Sequence, residues 1–475
     1  MLQREMPGRL LGLAATAAAY RVAYVEHRAT SPCGQGSCGP QTLAQNAATY
    51  AEHAQTAARE GAALIVFPEY GLTGFSSYAA SAWVQGGYTE TIPAVNASAR
   101  AVPCDDATGA FASAATVVTL SCAARGAGLA IVANLADDAG TSSTMYNTDV
   151  VLDSDGALIA AYRKLNLWGE ANMATPSECE RVTFSPVALA GRTFGLVTCA
   201  DLIYAEPTLA LADAGVSDFV APVAWDDSMA QMQVLGWAQG FSSTLGVNLV
   251  IANHRGSAES GSGAFASGDA LAYTFSRTAG GDSDVRIADL PDKASARRDV
   301  DRGVAAARPA PRDATAAAQS GWVFAALSDG SVCSGGICCT ASPTSGTPEG
   351  FALAALDGVD TSEGLAWGAQ ACAILPCPSP AHSCLNYQTP KASATLAGVS
   401  LNMTGIGATT LVVPEIVATS SEHEQVVLAP GSQWNLSRSD GRAGLLVDTA
   451  DDAALLSLVL YGRRFEDDVL PYSCS

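Results

Sequence analysis

Hydrophobic and polar residues recur with two different periods between Tyr20 and about residue 290. The segment YRVAYVEH, which starts at Tyr20, is a short run rich in aromatic and β-branched residues and predicts the first strand. Residues 42–61 predict a helix, because apolar residues recur there at intervals of three and four and a glycine closes the segment, as at a helix C-cap. The recurring positions are Leu43, Ala47, Tyr50, Ala54 and Ala57.

Apolar runs with strand character continue along this part of the chain. They are AALIVFPE, GLAIVANL, TFGLVTC, SDFVAPVAW and NLVIANH. The segment TDVVLDSDGALIAAYRK is interrupted by the turn residues Ser154, Asp155 and Gly156 and therefore predicts a β-hairpin. Strands interleaved with helical segments favour an α/β domain built in layers, which we place at residues 20–300.

The pattern changes after residues 301–320, a stretch rich in proline, arginine and alanine that predicts a linker. The runs beyond it are short, β-like and separated by turn residues: GWVFAAL, FALAALDG, ATLAGVSLNMTG, TTLVVPEIV and LLSLVLYGRR. They predict a smaller, cysteine-rich β domain at residues 321–475. A chain of 475 residues also exceeds the roughly 250–300 residues at which single cores stop growing.

Residues 1–19 predict a secretory signal peptide that is cleaved near Tyr20. Two arginines precede a short apolar stretch, and the alanines before Tyr20 have the form of a cleavage site. An ordinary N-terminal helix is the alternative. The charged C-terminus lacks the hydrophobic tail of a lipid-anchor signal, so we expect a secreted or lumenal protein without a membrane anchor. Sequons at Asn96, Asn402 and Asn435 are compatible with secretion.

The net charge of the chain limits the classes of partner that it is expected to bind. The net charge is −21, and an acidic surface repels nucleic-acid phosphates and anionic lipid headgroups. An apolar fraction of 48% with 15% charged residues is that of a globular protein. We therefore expect a small-molecule partner and no nucleic acid or membrane, and the sequence does not indicate an oligomeric state.

The cysteine count agrees with an oxidising compartment. There are thirteen cysteines, so at least one has no partner within the chain. Six disulfides with Cys199 left as the free thiol is one arrangement. Zinc binding by the segment CSGGICC is the alternative, and it is disfavoured because no histidine lies at finger-like spacing beside it.

Three strand-like segments end in residues with catalytic chemistry. Glu69 follows LIVF, Lys164 follows the predicted hairpin, and Cys199 ends TFGLVTC, while Glu170 lies shortly after Lys164. Each residue has a structural alternative. Glu69 is equally suited to a turn cap, Lys164 and Glu170 to a solvated surface, and Cys199 to a small position in a core.

These residue types together suit amide hydrolysis. A thiol attacks an amide as thiolate, which a neighbouring base generates, and Glu69 can take the Cys199 proton and later deliver it to the departing amine. Lys164 and the backbone N–H of Ala200 can stabilise the oxyanion, and Glu170 can hold Lys164 in place. We expect no metal and no organic cofactor.

The motifs resemble a known family. FPEYGLTG, YRKLNLWGE and GLVTCAD are similar to the three signature segments of the nitrilase, or carbon–nitrogen hydrolase, superfamily. The resemblance implies an α-β-β-α sandwich with Glu69, Lys164 and Cys199 as catalytic triad and Glu170 as accessory glutamate. The segments MYNTDVVLDSDGALIAAYRKLNLWGE, APVAW, GVNLVIANH, GGICCTASP and QACAILPCPSP further resemble the vanin pantetheinase and biotinidase branch, which adds a C-terminal β domain.

Departures from this branch lie near the expected substrate pocket. Ala200 stands where the family has an aromatic residue, and Trp225 is followed by Asp226 where the branch has Met-Asn. The region after His254 is short and rich in glycine and serine. We predict Trp225, Asp226 and His254 as substrate-binding residues, with a core indole, a turn acid and a buried histidine as the alternatives.

The resemblance implies a secreted amidohydrolase that cleaves pantetheine to pantothenate and cysteamine. Biotinidase-type cleavage of biocytin or biotinyl amides is the second expectation. A secreted binding protein that kept the fold and lost turnover is a different class, and a disulfide-held structural ectodomain is another. Both are disfavoured because all three catalytic residue types are present.

Overall fold

The computed structural model describes most of the chain on both sides of the predicted linker. The predicted linker, residues 301–320, lies outside the described residues, as do Cys33, Cys474 and all of the predicted signal peptide, residues 1–19, except Ala19. The described ranges are 19–30, 38–74, 80–96, 98–226, 229–256, 258–276, 283–292, 321–346, 348–362, 365–377, 384–385, 396–420, 426–448, 453–468, 470 and 472.

Two mixed sheets form the first region. The first sheet contains β1 (Ala19–Glu26), β2 (Leu64–Val66), β3 (Thr89–Glu90), β4 (Ala130–Asp137), β5 (Tyr146–Leu152) and β6 (Leu158–Arg163). The second contains β7 (Thr183–Phe184), β8 (Phe194–Leu196), β9 (Asp218–Pro222), β10 (Asn248–Ala252), β11 (Ser262–Ala266) and β12 (Asp269–Thr274). Strand β13 (Asp284–Pro291) then returns to the first sheet and pairs antiparallel with β1.

Parallel pairing brings strand ends to one edge of each sheet. Strands β1, β2 and β4 run parallel in the first sheet, as do β8, β9 and β10 in the second. Strands β5 and β6 form the predicted hairpin, whose turn contains Gly156 at φ +86°, a conformation that glycine adopts without strain. The ends of β2, β6 and β8 carry the predicted catalytic residues.

Strand alternation explains the layers. In β1, Val22 and Tyr24 belong to the core between the two sheets, whereas Ala23 and Val25 belong to the core under the helices. Both faces of the strand are therefore buried, as in α/β folds. The helices are α1 (Gly39–Arg59), α2 (Ala80–Gly86), α3 (Ala115–Ala127), α4 (Ala210–Asp213) and α5 (Val234–Leu245).

Helix α1 confirms the predicted helix, with both ends two or three residues earlier. All five predicted apolar positions of α1 are buried against the first sheet together with α3. Helix α5 covers the second sheet, and all of its residues are buried. A helix that is enclosed on every side lacks the polar face that periodicity detects. The order of layers is the predicted α-β-β-α sandwich.

The second region is a β structure that packs on α5. Its antiparallel strands form one 11-stranded sheet. They are β14 (Val323–Ala326), β15 (Ser331–Ser334), β16 (Ile337–Gly346), β17 (Phe351–Ser362), β18 (Leu365–Pro376), β19 (Leu396–Thr404), β20 (Leu411–Ser420), β21 (Val426–Leu428), β22 (Trp434–Ser439), β23 (Arg442–Val447) and β24 (Ala453–Arg463). The all-β fold of this region confirms the predicted fold class, a cysteine-rich β domain.

Two glycines of α5 let the regions approach closely. A Cβ on Gly240 would lie 1.7 Å from the carbonyl oxygen of Pro414, and a Cβ on Gly236 would lie 2.5 Å from Cγ of Glu415. Both contacts are shorter than real Cβ atoms tolerate. Strand β20 can therefore lie against α5 only because these positions lack side chains.

The disulfides settle the choice between cysteine pairing and zinc. The bonds with both cysteines described are Cys104–Cys122, Cys333–Cys338, Cys339–Cys372 and Cys377–Cys384. The cysteines of CSGGICC are therefore bonded in disulfides and not available to a metal. Cys38 and Cys179 are also disulfide-bonded. Cys199 is the free cysteine among those described, as predicted.

Candidate active site

Glu69 lies just beyond β2, at the carboxyl end of the first sheet. Its side chain is 1% exposed. Its Oε1 accepts hydrogen bonds from Nζ of Lys164 at 2.8 Å and from Nδ2 of Asn147 at 2.6 Å. A buried carboxylate with an ammonium and an amide on one oxygen is held in a single orientation.

Lys164 directly follows β6, and its backbone N–H donates to the Asn147 carbonyl at 2.8 Å. Its Nζ donates to Oε1 of Glu170 at 2.6 Å as well as to Glu69. Glu170 is held in turn by the Tyr70 hydroxyl at 3.2 Å and by the backbone N–H of Trp168. The ammonium is thus buried between two carboxylates.

Cys199 begins a short 3-10 turn, Cys199–Leu202, after β8. Its φ is +45°, a left-handed conformation that is unusual for a residue with a side chain. Thr198 and Asp201 form a capping box around this turn. Strained backbone of this kind persists when its surroundings hold it, and it clusters at functional sites.

Buried polar contacts tie the two sheets together beside the site. Oγ1 of Thr198, which lies just after β8 of the second sheet, donates to Oδ2 of Asp149 in β5 at 2.7 Å. Asn134 donates from Nδ2 to Oδ1 of Asp149 at 2.8 Å and to Oδ1 of Asn147 at 2.6 Å. A continuous network therefore runs from Glu69, through Asn147, to the residue before Cys199.

Asp201 makes a second tie between the sheets. Its carboxylate accepts from the Tyr162 hydroxyl at 2.8 Å and from Nδ2 of Asn166 at 2.7 Å. It also accepts from the backbone N–H of Thr198 at 2.9 Å. The turn that presents Cys199 is consequently fixed against the strand that presents Lys164.

One cavity of about 210 Å³ is lined by all four predicted catalytic residues. Trp225 and Asp226 also line it, and their role in substrate binding stays a prediction. His254 is not among the lining residues. It lies behind Glu69, and its Nε2 is 2.6 Å from the Glu69 carbonyl oxygen.

The cavity also has lining residues that sequence reasoning did not single out. Tyr70 and Trp168 stand inside the quoted motifs FPEYGLTG and YRKLNLWGE, so motif context could have found them. Ala224 likewise stands inside the quoted motif APVAW, and Ala200 was already predicted as an oxyanion donor. The others carry no local signal of a pocket: Ile203, Met229 and Glu259. Asn134, Asn147, Asp149 and Thr198 were missed for the same reason, because their network appears only when the two sheets meet.

Burial shifts the ionisation of the site. Burial raises the pKa of Glu69, against the opposing charge of Lys164. Burial also raises the pKa of the Cys199 thiol well above its usual range, with the charge of Glu69 adding to the effect. Burial alone would lower the pKa of Lys164, but the carboxylates of Glu170 and Glu69 outweigh it and raise this pKa. At rest the site holds an ammonium and a protonated thiol.

A metal has no evident place among these groups. Within the described ranges, no set of three or more histidine, cysteine, aspartate or glutamate side chains has the geometry to hold an ion. None of the described helices is long and apolar enough to cross a bilayer.

Comparisons with known proteins agree with this architecture. Residues 22–268 match the family described as carbon–nitrogen hydrolase, and residues 325–468 match the vanin C-terminal domain. The chain is 30% identical to a biotinidase of Takifugu rubripes, over 90% of each chain. It is 28% identical to a pantetheinase of Bos taurus, over 88% of this chain and 83% of the relative.

Among solved structures, an amidase from Nesterenkonia sp. aligns with 60% of this chain and 94% of its own, at 22% identity and a TM-score of 0.44. The family matches cover both regions of the fold, and the first match includes Glu69, Lys164 and Cys199. The first region is called the hydrolase region below, and the second is called the C-terminal region. The chain therefore belongs to the carbon–nitrogen hydrolase family and carries a vanin C-terminal domain behind its hydrolase region.

Proposed function

We propose that this protein hydrolyses linear amides through a thioester on Cys199, with Glu69 as base and acid and Lys164 as oxyanion stabiliser. The observation that carries the proposal is the arrangement of one cavity. A free thiol in a strained turn lies there with a buried carboxylate–ammonium pair. Glu170 supports the pair by binding Nζ of Lys164.

The raised pKa of Cys199 sets the first step, since the thiol is protonated before substrate arrives. Glu69 takes this proton as the sulfur attacks the amide carbon. The carbonyl oxygen gains the negative charge, which Nζ of Lys164 and the backbone N–H of Ala200 stabilise. Removing one oxyanion donor typically costs about 10²–10³ in rate.

The remaining steps return each group to its starting state. Glu69 delivers the proton to the nitrogen, the carbon–nitrogen bond breaks, and the amine departs. Glu69 then takes a proton from water while the water oxygen attacks the thioester. Cys199 leaves with that proton, and the carboxylic acid is released. A carboxyl group whose pKa burial has raised suits both roles.

We propose pantetheine as the substrate, cleaved to pantothenate and cysteamine. The support is the resemblance of the motifs to the vanin branch and the match to pantetheinases over most of the chain. Biotinyl amides such as biocytin are the second candidate, because the biotinidase of Takifugu rubripes matches over 90% of this chain. The disulfides favour secretion, which N-terminal sequencing starting near Tyr20 in secreted material would support.

The test is a kinetic panel of pantetheine, biocytin and propionamide on wild type, Cys199→Ala and Ser121→Ala. Ser121 is a buried hydroxyl in α3, remote from the cavity lining, and serves as the matched control. We expect turnover of pantetheine by wild type and Ser121→Ala, a covalent acyl adduct by mass spectrometry, and neither in Cys199→Ala. Hydrolysis that persists in Cys199→Ala overturns the mechanism, and a folded wild type that cleaves no amide favours the binding-protein class.

A further inference from the structure

Two parts of the cavity lining are held in place by different regions of the chain. The catalytic side, with Glu69 and Lys164, is held by groups of the hydrolase region itself. Trp168, Ile203 and Met229 form another part of the lining, which we call the wall. Each of these three, or its direct neighbour, is contacted by a residue beyond position 321, in the C-terminal region.

Trp168 is backed by an aromatic residue of the C-terminal region. Its ring centroid is 5.1 Å from that of Trp367, with the rings tilted by 42°. Trp367 lies in β18 and is fully buried. Its Nε1 donates to the Tyr461 hydroxyl at 2.7 Å, and Tyr461 donates to Oδ2 of Asp360 at 2.7 Å. The indole behind Trp168 therefore has a fixed orientation.

Ile203 is held through its backbone. Nε of Arg463, at the end of β24, donates to the Ile203 carbonyl oxygen at 2.8 Å. Arg463 is buried, and its guanidinium is neutralised by Asp468 at 2.8 Å. A charge-assisted bond in a buried setting fixes the carbonyl more firmly than a surface contact would.

The third brace lies next to Met229. The backbone N–H of Ala230 donates to the Leu385 carbonyl at 3.0 Å. Leu385 follows Cys384, whose disulfide with Cys377 ties this short segment to the end of β18. The wall is thus braced at three points by separate elements of one region.

We propose that the C-terminal region sets the range of substrates by bracing this wall, with Trp367 as the main positioning residue. The proposal rests on the proposed amide hydrolysis and adds which amides are cleaved well. A long amide that fills the cavity touches the wall as well as the catalytic side. A small amide occupies the catalytic side alone. Contacts remote from the reacting bond are used to lower the barrier for long substrates, so a displaced wall slows those substrates selectively.

The test compares pantetheine with propionamide in Trp367→Leu, Trp367→Phe and Trp322→Leu. Trp322 is the matched control, because its Nε1 donates to the other oxygen of Asp360 while its ring stacks on Phe324. We expect kcat/KM for pantetheine to fall at least ~10-fold in Trp367→Leu, about the cost of lost contact to one buried group. In the same variant, kcat/KM for propionamide should change by less than about threefold. Trp367→Phe should recover most of the kcat/KM lost for pantetheine. Trp322→Leu should show no selective loss of kcat/KM for pantetheine.

A double-mutant cycle separates positioning from general loss of stability. If Trp367 acts through Trp168, then Trp367→Leu causes no further selective loss in a Trp168→Leu background. The double variant Cys377→Ser/Cys384→Ser, which releases the segment at Ala230, should show the same selectivity against pantetheine. Equal losses for both amides, or additive losses in the cycle, overturn the inference while leaving amide hydrolysis intact. Absence of cleavage of pantetheine, biocytin and propionamide alike by folded wild type overturns the proposed function instead.

Discussion

The hydrolase region and the C-terminal region differ in where their buried polar side chains lie. In the hydrolase region the buried polar side chains lie between two sheets and converge on Glu69 and Cys199. In the C-terminal region a prominent set lies at the contact with the hydrolase region, where Arg463 binds Ile203 and Glu415 lies against Gly236. This difference is the one expected if the proposed chemistry lies in the hydrolase region and the C-terminal region supports part of the cavity lining.

Disulfides occur in both regions, since Cys38 and Cys179 of the hydrolase region are disulfide-bonded as well as Cys104 and Cys122. Of the four disulfides with both cysteines described, three lie in the C-terminal region. Cross-links reduce the freedom of the unfolded chain and thereby stabilise the folded C-terminal region. The hydrolase region keeps its free thiol in the cavity, apart from these pairs.

The largest expected effect distinguishes two buried glutamates, one in each region. Burial raises the pKa of both Glu69 and Glu415. Glu69→Gln removes the proton carrier and should lower kcat/KM by about 10³-fold, within the range for general acid–base groups. Glu415→Gln should have a kcat/KM within about threefold of the wild-type value. Steady-state kinetics with pantetheine measures both, and equal losses would contradict the assignment of chemistry to one region.

The next effect concerns the contact between the regions. Gly240→Ala places a methyl group against the Pro414 carbonyl and should lower the free energy of unfolding by about 1–3 kcal/mol. Gly126→Ala in α3 is the control, since nothing lies within 4 Å of its Cβ position. That control should leave stability unchanged or raise it by up to about 1 kcal/mol. Denaturant unfolding gives both values, and a neutral Gly240→Ala would mean that β20 and α5 separate easily.

Removal of the Thr198–Asp149 hydrogen bond, which links the two sheets, should have a smaller effect on the rate. Thr198→Val deletes the donor to Asp149 at nearly constant shape and leaves a buried carboxyl oxygen without this partner. It should lower kcat about 10-fold with KM little changed, as for loss of one buried positioning hydrogen bond. Thr198→Ser keeps the hydroxyl and should recover most of the rate. Iodoacetamide labelling of Cys199 provides an independent readout. A rise in KM without loss of kcat would point to the substrate wall instead.

The smallest effect is on pH dependence. Glu69 must be ionised to accept the thiol proton, so kcat/KM falls as pH drops through its pKa, which burial raises above the usual glutamate range. The charge of Glu170 adds to this rise. Glu170→Gln should therefore move the acid limb to lower pH, and Asp226→Asn serves as a lining-residue control that should not. An unchanged limb in Glu170→Gln would remove Glu69 as the titrating group.

Local sequence patterns were enough for much of the first region. The spacing of Leu43 to Ala57 predicted α1, and turn residues at 154–156 predicted the hairpin, because amphipathic periodicity and turn chemistry act over a few residues. Helix α5 was missed because it is enclosed on all sides. The return of β13 to β1 was missed because pairing between Ala19 and Pro291 joins positions that share no local signal.

The candidate site divides in the same way. Strand ends and motif resemblance led to Glu69, Lys164, Glu170 and Cys199, and the structure places all four in one cavity, while their roles stay predictions. Trp225 and Asp226 lie in that cavity, but His254 lies behind Glu69. The sequence could suggest that His254 is near the site and could not say which face of Glu69 it contacts.

The sequence by itself determined the layered α/β class, the family, the cysteine-rich second region and the residue types available for amide chemistry. Each of these depends on spacing within a segment or on residue identity. Only the tertiary structure decided that the Thr198–Asp149 contact ties the turn of Cys199 to the first sheet, and that Trp367 and Arg463 contact Trp168 and Ile203 of the cavity lining. Those contacts join residues far apart in the chain, and they form only when two sheets and two regions pack in one register.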